Sequence, residues 1–325
     1  MEAFTTDQTD IQSNFSENDY KNVKTIYGSM WISKHDEIIG VSLEKKGTFE
    51  EQSILEVVSF LKSKYGFTPI TFIDIGANIG THLVYALKKI LFKKAIGIEP
   101  DPLNFYLLQK NIDCNGIADR SRIFNTAISD NRPVANSALS KTNFGDHQIQ
   151  SANETGQNGN NQEDRKLISV RTDTFDNFIL ENKISTDSNT LVWIDTQGHE
   201  GHVLTGILNL EESRQPFVVL EFWPVVLEKR GRKETLMEYL KNCESVIDLR
   251  IYKWWWRAKS LSIDEILNLY DSFLSESNPD VLSHTDLLCI PKGTKLIHEE
   301  KFNIKIIFLI FINMIRKLRS LLLKK

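Results

Sequence analysis

The chain has 325 residues, 41% hydrophobic and 25% charged, with a formal net charge of -4. This is ordinary globular material, which excludes a disordered or fibrous chain, and the slightly acidic balance argues against a basic nucleic-acid groove over the whole surface. Three cysteines, Cys114, Cys243 and Cys289, form no CxxC pair, so neither a disulfide framework nor a zinc ribbon is expected and a reducing compartment fits best.

Residues 1–20, MEAFTTDQTDIQSNFSENDY, lack the basic start and apolar run of a signal peptide; a loose polar tail and a cytoplasmic location are expected. Residues 21–66 form a lead-in, in which MWISKHDEIIG reads as a short hairpin and Ile54, Val57, Val58 and Leu61 recur at helical spacing. The main domain is expected over 67–295. In it ITFIDI, KAIGIE and SRIFNTAIS read as strands, with IGTHLVYALKKILF and DPLNFYLLQKNIDCNG as helices between them. Residues 150–165, rich in Asn, Gln and Gly, read as a surface insertion. The alternation returns with KLISV, TDTFDNFILEN, LVWID, GHEGHVLTGIL and PFVVLEF, so the fold class is α/β, a doubly wound and mostly parallel sheet. Beyond Trp223 a helix over 234–243, a strand near 246–253 and a last strand near 287–290 are predicted.

The stretch FIDIGANIGTH carries the chemistry. A dinucleotide fingerprint, G-x-G-x-x-G, brings backbone amides to a diphosphate. Here the spacing is Gly76-x-x-x-Gly80, preceded by Asp74, and a carboxylate there repels a diphosphate but suits a cationic or hydroxyl-bearing ligand. Glu99, ending the second strand of the unit, can accept both hydrogens of a ribose diol. A ribose without phosphates at a sheet switch point indicates S-adenosylmethionine.

FIDIGANIG, IGIEPDPLNFYLLQKNI, NTAISD, DTFDNFI and WIDTQGHEGHVLTGI occur in that order between Met30 and Phe222 and together resemble the FkbM family of S-adenosylmethionine-dependent methyltransferases, within the class I Rossmann-like group. The resemblance implies a seven-stranded sheet and O-methylation of a hydroxyl, commonly of a sugar or glycan. It assigns the cofactor to Asp74, Gly76, Asn78 and Gly80 on the methionine side and to Glu99 at the ribose. Pro100, Asp101, Asn125, Thr126 and Ala127 are placed toward the adenine. One departure is Thr196-Gln197, where the family usually shows an apolar residue followed by an acid.

Methyl transfer needs an acceptor oxygen in line with the sulfonium methyl and a group to take its proton. Asp195, at a strand end, stands where class I enzymes place substrate-facing residues. His199 and Glu200 follow it as a base or its orienter, or, more blandly, as a packed histidine and a helix N-terminal acid. His147, in FGDHQI, is an alternative base, or else a surface histidine beside the insertion. Asp195, His199 and His202 have no second acid-rich cluster beside them, so no metal centre is expected. Trp254, Trp255 and Trp256 cannot all face one side of a strand; they read as part core and part surface anchor, or as a platform for a sugar face.

The tail 296–325 reads as a basic amphipathic helix. Its longest apolar run, Ile306 to Ile312, is seven residues, well short of the ~20 that span a bilayer. It fits peripheral contact through 302–325 with an anionic membrane face, packing on its own domain, or a second subunit in a homo-oligomer. The expected partner is a sugar or glycan acceptor, not nucleic acid. A non-catalytic cofactor-binding scaffold, a methyltransferase of a non-sugar small molecule and an NAD-linked oxidoreductase are the competing readings.

Overall fold

A computed structural model of the chain describes residues 17–130, 134–139, 148–150, 166–250, 259–275 and 283–297. An N-terminal hairpin, β1 (Tyr20–Lys24) and β2 (Ser29–Ser33), leads into α1 (Ile39–Lys46) and α2 (Gln52–Tyr65). The wound unit follows as β3 (Thr71–Ile75), α3 (Thr81–Lys88), β4 (Lys94–Ile98), α4 (Pro102–Cys114) and β5 (Ser121–Phe124). A small sheet takes β6 (Ala127–Ile128), β7 (Val134–Leu139), β8 (Gln148–Gln150) and β9 (Lys166–Asp173). Then come α5 (Phe175–Glu181), β10 (Thr190–Ile194), α6 (Glu200–Leu208), β11 (Phe217–Phe222), α7 (Pro224–Arg230), α8 (Lys233–Asn242), β12 (Ser245–Asp248), α9 (Ile263–Ser275) and β13 (Thr285–Ile290).

The central sheet has seven strands in the order β12-β13-β11-β10-β3-β4-β5, and β13 runs against both its neighbours while the other pairs are parallel. Strand order turns around between β3 and β10, so the crevice at their carboxyl ends is the place where such sheets hold ligands. Both faces of the sheet are covered, which is why its strands read as unbroken apolar runs. From β10, Leu191 and Trp193 join α2, α3, α4 and the hairpin on one face, while Val192 and Ile194 join α5, α6, α8 and α9 on the other.

Several expectations shift. The hairpin partner of MWIS is the preceding YKNVK, not the following DEIIG, which instead opens α1. Tyr20, placed in the tail by its polar neighbours, is 6% exposed and starts β1. SRIFNTAIS is split into β5 and β6, which belong to different sheets. The helices α7 and α9 are additions to the expected elements. His147, the insertion after Gln150, the three consecutive tryptophans and the tail beyond Ile297 lie outside the described residues. Among the described residues, no helix is long and apolar enough to cross a membrane.

Candidate active site at the carboxyl edge of the sheet

The turn after β3 is shaped by backbone conformations that few side chains tolerate. Gly76 has φ 88°, Asn78 φ 49° and Gly80 φ 87°. A Cβ on Gly76 would lie 1.9 Å from the Asp195 carbonyl oxygen, and one on Gly80 would lie 2.4 Å from Leu108 Cδ1. Glycine at these two places lets the turn press against the loop after β10 and against α4. The Gly76 and Ala77 amides donate to the Ile98 carbonyl at 3.0 and 3.1 Å, and the Asp195 amide donates to the Ile75 carbonyl at 3.0 Å. Three strand ends are thereby tied into one rim.

Around this rim is a cleft with about 500 Å³ of empty space, part of it open to solvent, lined by Gly76, Asn78, Glu99, Pro100, Thr126, Ala127, Asp195 and His199 among the expected residues. Ile75, Ile98, Asn104, Ile128, Thr196 and Gln197 line it as well. The two isoleucines Ile75 and Ile98 are the last residues of their strands, a position that does mark a crevice in the sequence.

Glu99 is 4% exposed. Its Oε2 accepts from the Asn78 amide and its Oε1 from the Asp101 amide, each at 2.8 Å. The carboxyl is thus aimed, with lone pairs left for a ligand's hydroxyls. Burial, helped by Asp101 and opposed by the two amides, raises its pKa to about 8. Asp74 is 2% exposed and is not among the residues that line the cleft; its Oδ2 is sealed without a hydrogen bond, and its Oδ1 lies 3.9 Å from His82 Nδ1. Burial, then the neighbouring Asp195, holds Asp74 well above the usual carboxylate range.

Four other expected residues serve the frame. Asp101 caps α4, accepting from the Asn104 amide at 2.7 Å. Asn125 donates to the carbonyls of Glu99 and Pro100 at 2.9 and 3.1 Å, fixing the backbone behind the cleft. Gly80 opens α3. Glu200, fully buried, accepts at Oε1 from Thr196 N at 3.0 Å, Thr196 Oγ1 at 2.9 Å and Gly198 N at 3.2 Å, closing the loop after β10. These bonds favour the helix N-terminal reading of Glu200 over that of a base.

Asp195 is half-buried on the cleft wall, and burial raises its pKa against a hydrogen bond from Gln197. His199 is 1% exposed; its Nε2 is 2.8 Å from Ser129 Oγ, and its ring stacks on His202 at 4.1 Å. His202 Nδ1 is 3.1 Å from Asp130 Oδ2 and its Nε2 is 3.2 Å from the Arg230 carbonyl. Both ring nitrogens of His202 are thereby engaged. The His202 side chain is buried inside this network.

The donor set can be tested against the expected cofactor. No Lys or Arg stands among the lining residues, so a diphosphate would meet no counter-charge. A carboxyl with free lone pairs at the rim suits the hydroxyls of an adenosyl group instead. The residues fit S-adenosylmethionine.

Comparison with known proteins agrees. The family model described as "Methyltransferase FkbM domain" matches residues 74–247. No curated protein matches the chain. Among solved structures, an FkbM methyltransferase from Methylobacillus flagellatus is 18% identical over 47% of this chain and 32% of its own, with a TM-score of 0.30. The tRNA m1G37 methyltransferase of M. jannaschii is 11% identical, covering 84% of this chain and 54% of its own, at 0.35. The Pyrococcus abyssi tRNA (uracil-54, C5)-methyltransferase, solved with S-adenosyl-L-homocysteine, is 12% identical over 86% and 44%, at 0.37. The chain thus spans between about a third and about half the length of these structures. With the family match covering more than half of its residues, the chain belongs to the FkbM family of S-adenosylmethionine-dependent methyltransferases.

Proposed function

We propose that the protein is an O-methyltransferase that transfers a methyl group to a hydroxyl of a sugar or glycan. The observation that carries this reading is the convergence of Glu99 and Asp195, from the ends of β4 and β10, on one cleft with the Gly76–Asn78 turn between them. Bound S-adenosylmethionine supplies the methyl on an electrophilic sulfonium. Glu99 holds the ribose hydroxyls, with Asn78 and Asp101 amides keeping its carboxyl aimed. Thr126 and Ala127 lie along the adenine side of the cleft. Asp74, sealed beneath the turn and outside the cleft lining, acts through the frame of the turn and makes no direct contact with the ligand.

Asp195 takes the proton of the acceptor hydroxyl. Its raised proton affinity makes it a better base than an exposed aspartate. His199, whose Nε2 is engaged by Ser129, orients the wall beside it. Behind Asp195, outside the cleft lining, stand two further buried acids, Glu221 and Asp286. A cleft lined by Glu99 and Asp195 and by no Lys or Arg accepts hydrogen bonds from a neutral polyol and offers no counter-charge to anionic acceptors, nucleic acid included. Incubation with methyl-labelled S-adenosylmethionine and a panel of free sugars and glycan extracts tests the reading. Label on a sugar oxygen is expected; label on RNA, on nitrogen or on carbon would refute it.

A further inference from the structure

Gln197 stands where a side chain is costly. Its φ is 55° and Gly198, after it, has φ 95°, and in the left-handed region a Cβ crowds the following carbonyl oxygen. What the side chain does there is specific. Its Nε2 donates to Asp195 Oδ1 at 2.7 Å and to Glu221 Oε2 at 3.3 Å. Both hydrogens of one amide nitrogen are therefore spent on two carboxyls from adjacent strands, β10 and β11.

The surroundings of Asp195 explain why an amide serves there. The titratable groups near it are carboxyls: Asp74 from β3, Glu200 from α6, Glu221 from β11, Asp286 from β13 and Glu50 from the segment before α2. Of the imidazoles at this end, His199 lines the same cleft and His284 lies 3.8 Å from Glu221 Oε1, the oxygen that Gln197 does not engage. An acid at position 197 would have the same length, would offer no hydrogen when ionised, and would add another negative charge to the group.

We propose that Gln197 is the positioning residue of this site, its amide clamping Asp195 to Glu221 so that the Asp195 carboxyl is fixed on the cleft wall with an N–H donor held on its Oδ1. The proposal rests on the reading of Asp195 as proton acceptor. It also explains the departure from the family pattern at this position, because the amide counters the burial that pushes Asp195 upward. Removing the donor leaves the charged form less stabilised, so Asp195 should ionise only at higher pH.

The experiment needs no acceptor. Protein labelled with carboxyl-¹³C aspartate is titrated, with the Asp195 signal identified by its loss in Asp195→Asn. In Gln197→Glu and Gln197→Met the Asp195 midpoint should rise by about one pH unit, a tenfold change in proton affinity. In the native protein the Gln197 side-chain amide signals should titrate with the same midpoint as Asp195, a measurement that survives even if both variants misfold. An unmoved midpoint in folded variants, or amide signals indifferent to the Asp195 titration, would overturn the proposal. With an acceptor in hand, the acid limb of the pH–rate profile should move upward in step. If no acceptor is ever methylated the carboxyl titration still reads out, so the two failures are separable.

Discussion

At the scale of single residues, different carboxyls carry different losses. Glu99→Ala removes hydrogen bonds to the ligand and leaves the Asn78 and Asp101 amides without their acceptor. Such bonds are worth about 0.5–1.5 kcal/mol each, so with two lost, calorimetric affinity for S-adenosylhomocysteine should fall about tenfold. Asp74→Ala, at a side chain outside the cleft lining, should weaken binding of S-adenosylmethionine less than Glu99→Ala does. Asp195→Asn should leave cofactor affinity nearly unchanged while turnover drops by roughly 10²–10⁴. Gly76→Ala places a methyl against the Asp195 carbonyl in a left-handed backbone, and should destabilise the fold by about 2–4 kcal/mol in thermal unfolding. Gly76, Glu99 and Asp195 are legible in the sequence because each sits where an apolar run breaks at a strand end. Asp101 and Asn125 are visible as polar residues at the same edge, yet whether they face the cleft or tie the backbone depends on rotation the sequence does not encode locally. The Gln197 bridge is invisible for a stronger reason. It joins β10 to β11 across residues that are far apart in the chain and adjacent only in the sheet.

At the scale of elements, two polar side chains hold segments that apolar packing alone would leave loose. Glu200 gathers three donors and so sets the loop that carries Asp195 and Gln197. In Glu200→Ala those donors lose their acceptor, and Tm should fall by an amount equivalent to about 2–3 kcal/mol, with a secondary loss of turnover as the loop relaxes. Asn111 of α4 pairs with both the amide and the carbonyl of Trp31, and its Nδ2 also reaches the Ile79 carbonyl at 2.8 Å. This one side chain pins β2 to the turn after β3. Amide hydrogen exchange in 29–33 should accelerate in Asn111→Ala, while exchange in β10 and β11 stays slow. The hairpin is hard to read because β1, YKNVK, carries its strand alternation on lysines, which weakens the signal, whereas the downstream DEIIG is apolar enough to imitate a partner. The wound strands have a clearer pattern: burial on both faces forces runs such as TLVWI and FVVLEF.

At the scale of the whole molecule, the carboxyl edge concentrates buried acid. Burial raises Glu99 and Asp286 to about 8 and Glu200 to about 7, with neighbouring acids adding to each. Between the ordinary carboxylate range and pH 8 the folded state keeps protons that the unfolded chain has released, so stability must fall as pH rises through that window. The denaturant midpoint of the ligand-free protein should accordingly be lower at pH 8 than at pH 6; an equal or higher value would refute these assignments. Saturating S-adenosylmethionine should raise the midpoint, since it binds only the folded state. The regions past Trp223 are hard to read for a physical reason. There β13 runs against its neighbours, and α7 and α9 complete one face of the core after the regular alternation has ended.

The central claim, that Glu99 and its partners at the sheet edge grip an adenosyl sulfonium and not a diphosphate, is tested most directly by calorimetric titration of the native chain with S-adenosylmethionine and, in parallel, with NAD. Saturable one-to-one heat is expected with S-adenosylmethionine, lost or weakened tenfold in Glu99→Ala, and none with NAD. Saturable NAD binding, or no heat from S-adenosylmethionine with folded protein, would contradict it.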